Sequence, residues 1–167
     1  AGTISTAGDI TTTNDAITFT DEVTLTGAVA LNSGAAGGTI TFKDLLNGTQ
    51  TLGLTAGTGN IDFDGVVGGA AALGAVTVNS ATNVTADAAF SAASFRQVAG
   101  SGTTTFTGAL ATTAAAGVEV DGTNFDFNST VNLTLGSLDV DATGTVRFNG
   151  VVTTQEAAAG LVTITNG

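Results

Sequence analysis

The stretch Gly102-Thr-Thr-Thr-Phe-Thr-Gly-Ala-Leu110 decides the fold, because close copies of it recur along the chain. One copy is Gly59-Asn-Ile-Asp-Phe-Asp-Gly-Val-Val67, and another is Gly144-Thr-Val-Arg-Phe-Asn-Gly-Val-Val152. Each copy has a glycine, an alternating strand that ends in Phe, one polar residue, a second glycine and two small or apolar residues. The central aromatic residues of the three copies lie about 43 and about 42 residues apart.

A shorter period lies inside this one. Weaker copies around Phe19, Phe42 and Phe127 reduce the usual spacing between phenylalanines to about 21–23 residues. One copy is missing from the series, and we expect a degenerate copy near Asn83-Val-Thr-Ala86 to occupy its place. A period of about 21 residues is typical of one coil of a solenoid. Two further series of inward residues keep a similar spacing: Ile10, Leu31, Leu52 and Leu73, and then Val118, Val140 and Val162.

The chain is predicted to be all-β, because β-branched residues alternate with polar ones and glycine is abundant. Residues 79–101 are the irregular part, and within them residues 86–98 are the only run whose composition could favour a helix. Phe90 and Phe95 lie five positions apart, which fits neither a helix nor a strand well. We interpret this segment as a degenerate coil with a shifted aromatic residue, and a short helix is the alternative.

The constant phase of the inward residues predicts a parallel β-helix (a β-solenoid) of about eight coils of about 21 residues. An antiparallel β-sandwich or meander is the alternative, because Asn47-Gly48, Asp64-Gly65 and Asn149-Gly150 are typical hairpin turns. In a solenoid, the strands of successive coils would lie about 4.8 Å apart. Like side chains would then stack inside, with Phe on Phe.

Residues 1–167 are predicted to form a single repeat domain. The last residues, Leu161–Gly167, have the pattern of a plain strand rather than of the polar cap that closes natural solenoids. Joining this end to the start of another copy would bring Ile4 near the next Phe position. We therefore expect an interior segment of a longer array, or one subunit of a head-to-tail filament, with other copies of itself as partner.

The composition excludes several classes of function. The chain has no Cys or His and only 3 Lys and Arg residues, and its formal net charge is −11. Without His or Cys, the most common general base and the thiol nucleophile are both missing, so we do not expect an enzyme. Nucleic acid is not an expected partner, because no basic patch exists to neutralise phosphates. Direct membrane insertion is not expected either, because no apolar run of about 18 residues occurs.

Carboxylates are the one group of side chains that could hold a ligand. Residues two apart on a strand face the same side, and stacked carboxylates would supply the oxygen ligands that Ca²⁺ prefers. The alternative is a solvated outer face, and no other cofactor is expected. The candidate metal ligands form three pairs: Asp62 with Asp64, Glu119 with Asp121, and Asp139 with Asp141.

The pattern of Ile61–Val67 followed by Leu73–Val78 resembles the repeat regions of large bacterial surface and secreted proteins. These include filamentous-haemagglutinin-like and autotransporter-type adhesins and related β-strand-repeat proteins. The resemblance implies an extracellular, cell-surface β-solenoid that acts as a stalk, adhesin or sheath, and it assigns no functional residue.

The predicted function is that of a structural, non-catalytic part of a bacterial surface filament or stalk, assembled by stacking of coils. The alternative is an adhesin-type module that binds carbohydrate or a cell surface with or without Ca²⁺. In that case residues 86–98, where the repeat is interrupted, are the candidate binding segment.

Overall fold

The computed structural model describes residues 2–155 and 160–167, and over these residues the chain winds into a parallel β-solenoid of about eight coils. Strands at equivalent positions in successive coils pair side by side in parallel. The predicted β-helix is therefore confirmed, and the antiparallel sandwich or meander is wrong. Within the described residues there is no helix with the length and apolar character needed to cross a membrane.

Coil 1 contains two strands, and most later coils contain three. The strands of coils 1 to 4 are β1 (Thr3–Thr6), β2 (Ile10–Thr11), β3 (Ile17–Phe19), β4 (Glu22–Leu25), β5 (Val29–Asn32), β6 (Ile40–Phe42), β7 (Leu46–Asn47), β8 (Leu52–Thr55), β9 (Ile61–Phe63) and β10 (Leu73–Ser80). The strands of coils 5 to 8 are β11 (Val84–Ala86), β12 (Phe90–Gln97), β13 (Thr103–Phe106), β14 (Leu110–Thr112), β15 (Val118–Gly122), β16 (Asn124–Phe127), β17 (Val131–Leu133), β18 (Leu138–Ala142), β19 (Val146–Phe148), β20 (Val152–Thr154) and β21 (Val162–Asn166).

The strands stack in three columns that run along the solenoid axis. Column 1 contains β3, β6, β9, β11, β13, β16 and β19. Column 2 contains β1, β4, β7, the start of β12, β14, β17 and β20, with Val67 as a single bridge between β7 and β12. Column 3 contains β2, β5, β8, β10, the end of β12, β15, β18 and β21.

The phenylalanines of column 1 form the centre of the core. Pairing in register sets Phe42 directly beside Phe19 and Phe63. The rings of Phe19 and Phe42 stack with centroids 5.1 Å apart, and those of Phe42 and Phe63 stack at 5.4 Å. A second stack runs through Phe106, Phe127 and Phe148. The prediction that like side chains meet inside the solenoid is confirmed.

Ala86 interrupts the aromatic stack, as the expected degenerate copy. It pairs with Phe63 on one side and Phe106 on the other, so one ring is missing from the column. Phe90 fills the space from column 2, with its ring edge-on to Phe63 at 5.3 Å and to Phe106 at 5.6 Å. Phe95 packs edge-on against both Phe90 and Phe106. Residues 90–97 form a strand, so the shifted aromatic residue is confirmed and the short helix is wrong.

The predicted inward series are correct in direction but partly wrong in register. Ile10 pairs with Leu31 as expected, but Leu31 then pairs with Leu54 rather than with Leu52. Both leucines are inward, because residues two apart on a strand face the same side. A shift of two residues therefore leaves the buried set unchanged and cannot be detected from the alternation. The second series shifts likewise, because the observed pairs are Val118 with Leu138 and Val140 with Ile164. Ile4 pairs with Val23 in column 2, so its expected place in the Phe column is also wrong.

The second glycine of the repeated motif is required by the close approach of the coil below. A Cβ added at Gly108 would lie 2.2 Å from the backbone carbonyl carbon of Ala88, one coil earlier. Added Cβ atoms at Gly65 and Gly150 would meet the backbone of Asp44 and Ser129 in the same way. From coil 3 onwards these glycines alternate with Asp44, Ala88 and Ser129, so the full motif recurs in every second coil.

Replacing Gly108 with Ala should therefore destabilise the protein by about 1–3 kcal/mol, the usual cost of overpacking. The matched control is Gly53→Ala, because a Cβ at Gly53 would meet only the Cβ of Ala30, at 3.9 Å. We expect that control to change stability by less than about 0.5 kcal/mol. Urea unfolding followed by circular dichroism measures both, and equal stabilities of the two variants would contradict the close-approach explanation.

Exchanging the residues at positions 86 and 90 tests whether the Phe90 ring occupies the space left by the missing ring. Phe90→Ala should cost about 3–5 kcal/mol, as is usual for deletion of a buried ring. Ala86→Phe alone should also destabilise, because two rings would compete for one space. The combined Ala86→Phe/Phe90→Ala variant should be more stable than Phe90→Ala alone, measured by denaturant unfolding. If the combined variant shows no recovery, then Phe90 does not replace the ring missing at Ala86.

Candidate functional site

Four of the six predicted metal ligands come together on the outer face of column 3. In the pairing of β15 with β18, Glu119 lies beside Asp139 and Asp121 lies beside Asp141. We call these four residues the acidic ladder. Because parallel strands lie about 4.8 Å apart, each carboxylate has one neighbour along its strand and one in the adjacent coil.

The third predicted pair is separate from the acidic ladder. Asp62 is on the outer face of column 1, where its neighbours in the adjacent coils are Thr41 and Thr85. The Asp64 carboxylate lies 3.6 Å from the ammonium group of Lys43. Stacked carboxylate pairs were expected, and only the column 3 pairs have this arrangement.

Among residues 2–155 and 160–167, no three Asp, Glu, His or Cys side chains are grouped closely enough to hold a metal ion. The carboxylates of the acidic ladder would therefore need to move, or be joined by backbone oxygens and water, to reach the six to eight oxygen ligands of Ca²⁺. Calcium binding by these residues stays a prediction.

All three cationic side chains form ion pairs that join adjacent coils. Lys43 pairs with Asp64, as above. The guanidinium of Arg96 lies 3.3 Å from Glu119, and that of Arg147 lies 3.4 Å from Asp126. Exposed pairs of this kind contribute about 0–1 kcal/mol each. Their main consequence is that no basic side chain is left for an anionic partner on the described surface.

A shallow depression adjoins the acidic ladder at the corner between columns 3 and 1. Its volume is about 350 Å³, and Asp121 and Asp141 line one side of it. Val98 and Gly100, which belong to the irregular part of the chain (residues 79–101), line the other side. The place where the repeat is interrupted therefore meets the most acidic part of the surface.

Beneath this depression lies a buried polar pair that the sequence analysis did not identify. Gln97 is buried at an inward position of column 3, beside Val78 and Val120 of the adjacent coils. Its amide oxygen accepts a hydrogen bond from the Thr104 hydroxyl at 2.7 Å, and its amide nitrogen donates to the Asp121 carbonyl at 3.3 Å. The signal in the sequence is the alternation itself, because Gln97 follows the inward Phe95 by two residues.

Burial and like charges raise the pKa of two carboxyl groups. Desolvation is the largest cause for Asp121, followed by the nearby carboxylates of Glu119 and Asp141, while Arg96 opposes the shift. The pKa of Asp62 is also raised, first by desolvation and then by Asp64 and Asp87, and Lys43 opposes it. At Asp121 the neighbouring carboxylates therefore repel more strongly than Arg96 attracts.

The chain matches no protein-family model, no curated protein and no solved structure. What the depression can bind must therefore be inferred from the side chains that line it. The depression presents the carboxylates of Asp121 and Asp141 and the hydroxyls of Thr123 and Thr143. Such groups can accept hydrogen bonds from neutral polar ligands or attract cations.

Asp121→Asn should make the folded protein more stable at neutral pH, because it removes one charge from the repulsive cluster. We expect a gain of about 0.2–1 kcal/mol, the scale of a cross-strand charge pair, reduced by solvent screening. The folded-state pKa of Asp121 is raised, so the fold favours its protonated form. This stabilising contribution is complete below the ordinary aspartate pKa and is lost as the pH rises through the raised value.

Urea unfolding of the wild type and of Asp121→Asn between pH 3.5 and pH 7 measures this effect, since the variant lacks that pH-dependent contribution. The matched control is Asp126→Asn, whose carboxylate accepts a hydrogen bond from Arg147 rather than facing other carboxylates. It should show no gain at neutral pH. A larger gain for the control than for Asp121→Asn would contradict repulsion in the acidic ladder.

Proposed function

We propose that this chain is a structural, non-catalytic segment or subunit of a bacterial extracellular filament or cell-surface stalk, in which β-coils stack end on. The observation that carries the proposal is the uncovered face of coil 8. Its inward residues Val162 and Ile164 are 43% and 48% exposed, whereas their partners one coil below, Leu138 and Val140, are completely buried.

A further coil would complete the pairing of this face. The outer edge of β21 carries backbone groups that pair with β18 on one side only. Uncovered strand edges of this kind are templates for further strand pairing. Covering Val162 and Ile164 with another coil removes apolar surface from water at about 25 cal/mol per Å².

Coil 1 offers matching residues in two of the three columns. Ile4 in column 2 and Ile10 in column 3 are partly buried residues that pack on the core from the opposite end. A second copy stacked on coil 8 would place these residues over Val152 and Ile164. The strand needed above Phe148 in column 1 would come from another part of the assembly, because β1 and β2 belong to columns 2 and 3.

The extracellular location and the absence of catalysis rest on other observations. The repeat pattern resembles those of bacterial surface proteins, as described above. The core is continuous from Phe19 to Phe148, so no cleft divides the described chain between these two residues. The absence of His, Cys, Tyr and Trp from the sequence leaves few groups from which to build an active site.

Replacing Ile164 with Lys should prevent end-on growth. Stacking would bury the new charge without a partner, which is strongly unfavourable. The matched control is Thr165→Lys, which adds the same charge on the same strand at an outward position. In negative-stain electron microscopy we expect filaments for the wild type and for the control, and single short rods for Ile164→Lys.

The same experiment with and without a Ca²⁺ chelator separates two kinds of assembly. Filaments that survive chelation support a polymer held by backbone pairing and apolar contact. Filaments that dissolve would instead make the acidic ladder a metal site that the assembly needs. Short rods of wild-type protein in both conditions would contradict the filament proposal.

The competing proposal is an adhesin-type module that binds carbohydrate or a cell surface, with or without Ca²⁺. The observation that favours it is the depression beside Val98 and Gly100, where the irregular segment meets Asp121 and Asp141. Neutral sugars present hydroxyl groups, which can donate hydrogen bonds to these carboxylates. In this case, the wild type would stay as short rods and would bind a glycan array, with binding lost in Asp121→Asn.

A further inference from the structure

The outer face of column 2 differs from the other two faces of the solenoid. Each of its outward residues directly precedes an inward one, such as Leu46, and is therefore turned to solvent. The backbone carbonyl of each outward residue accepts a hydrogen bond from the amide of the inward residue one coil earlier, as Val66 does from Leu46. We call this surface the neutral face. It includes the outward strand residues Ser91, Ala111, Asn132 and Thr153, and the outward residues that lead into the strands of coils 3 to 8 are Leu45, Val66, Ala89, Ala109, Thr130 and Val151.

The neutral face has no charged residue in coils 3 to 8. This is unexpected in a chain with 14 acidic residues and a net charge of −11. The outer face of column 1 carries Asp62 and Asp126, and the outer face of column 3 carries the acidic ladder. Two copies that met through either of those faces would bring carboxylates together, whereas two neutral faces would not.

The neutral face also carries exposed apolar side chains at its two ends. Leu45 in coil 3 is 36% exposed and Val151 in coil 8 is 67% exposed. Leu135 is 44% exposed at the corner between columns 2 and 3, next to this face. Apolar surface that carries no charge and lies between acidic surfaces is typical of a protein–protein contact.

We propose that the neutral face is a side-by-side contact between two copies of this chain, packed face to face and antiparallel. A two-fold axis perpendicular to the solenoid would pass between coils 5 and 6, because two-fold contacts are self-complementary. Ala89 of one copy would then lie against Ala109 of the other, and Leu45 against Val151. The contact is formed by the neutral faces of two chains and does not require end-on stacking.

The border of the face favours the antiparallel arrangement. At the turn between columns 1 and 2, the residue after each column 1 strand is charged in coils 3 to 5 (Lys43, Asp64 and Asp87) and neutral in coils 6 to 8 (Thr107, Asn128 and Asn149). An antiparallel pair sets Asp64 opposite Asn128 and Asp87 opposite Thr107, and so keeps these carboxylates of the two copies apart. In coil 3, Lys43 and the adjacent Asp44 would lie opposite Asn149.

The area of the face predicts a weak contact for a single pair of chains. Three residues of strand and six coils give a surface of roughly 10 Å by 29 Å. This is on the order of 300 Å² per copy, below the roughly 800 Å² per partner of a standard interface. Added coils would lengthen the contact, so avidity would make it strong in a long solenoid.

Because the chain has no cysteine, a single introduced thiol reports such a weak contact directly. Ala89→Cys places one thiol near the proposed axis, offset by only about one coil spacing, roughly 4.8 Å, from the same residue of the other copy. The matched controls are Ala30→Cys and Ala99→Cys, which replace exposed alanines outside the neutral face. Disulfide formation is followed on non-reducing gels and divided by each thiol's rate with a small disulfide reagent.

We expect Ala89→Cys to cross-link about tenfold faster than either control, because pairing raises the local thiol concentration. Added NaCl should increase the rate further, since it screens the repulsion between two acidic chains. Val151→Asp in the Ala89→Cys chain should slow the reaction. Equal rates for Ala89→Cys and the two controls would overturn the proposal.

A mixing experiment tests the direction of the pair. Chains with Leu45→Cys should cross-link to chains with Val151→Cys faster than either cross-links to itself. Preferential cross-linking of like chains would overturn the antiparallel arrangement. Adding Ile164→Lys to the Ala89→Cys chain separates this contact from the proposed end-on stacking. Cross-linking should persist in that chain, and its loss would show that lateral contact does not exist without filaments.

Discussion

Backbone hydrogen bonding between equivalent strands of successive coils is the constraint on which the rest of this molecule depends. A strand at one position finds its partner one coil away, parallel and nearly in register. Each side chain therefore contacts the residue about 21 positions earlier or later. The core must then consist of residues whose side chains pack well on similar side chains. The aromatic stack of column 1 follows directly, because a flat ring packs well on another ring about 5 Å away. One coil carries Ala86 instead of Phe, and the rings of the adjacent coils cannot fill the space that this leaves. Phe90 of the neighbouring column fills it instead.

The same constraint requires glycine where the backbones of successive coils approach most closely. At the turn after column 1, the backbone of Ala88 occupies the space that a Cβ at Gly108 would need, and the backbone of Ser129 does the same at Gly150. From coil 3 onwards these glycines fall in every second coil, which gives the strongest repeat its period of about 42 or 43 residues.

The sequence contains enough information to predict the coil, the inward face and the place of the missing ring, because each depends on side-chain alternation or on a Phe. The sequence does not determine which residues pair between coils. Leu52 and Leu54 are both inward on one strand, and the alternation cannot show which of them pairs with Leu31. The candidate site divides in the same way. Pairs of carboxylates two residues apart are visible in sequence, but only coil-to-coil register reveals that Glu119 and Asp139 stack while Asp62 lies between threonines. The depression near Val98 and the buried Gln97 depend on how an irregular coil closes, and no local pattern encodes that.

A solenoid separates the residues that hold it together from those that meet other molecules. Inward residues and corner glycines are constrained by neighbouring coils, so charge can be placed only on the outer faces. On the strands of coils 3 to 8 the carboxylates lie in columns 1 and 3, and the three cations are used in pairs between coils. In these coils, negative charge on two faces and no charge on the third leave few ways for such chains to approach each other. Because repulsion between exposed carboxylates reaches about a Debye length, roughly 8 Å at physiological ionic strength, it decides orientation before any contact forms. The face without charge is then the one on which weak apolar contact can persist, and each coil added to the solenoid extends it.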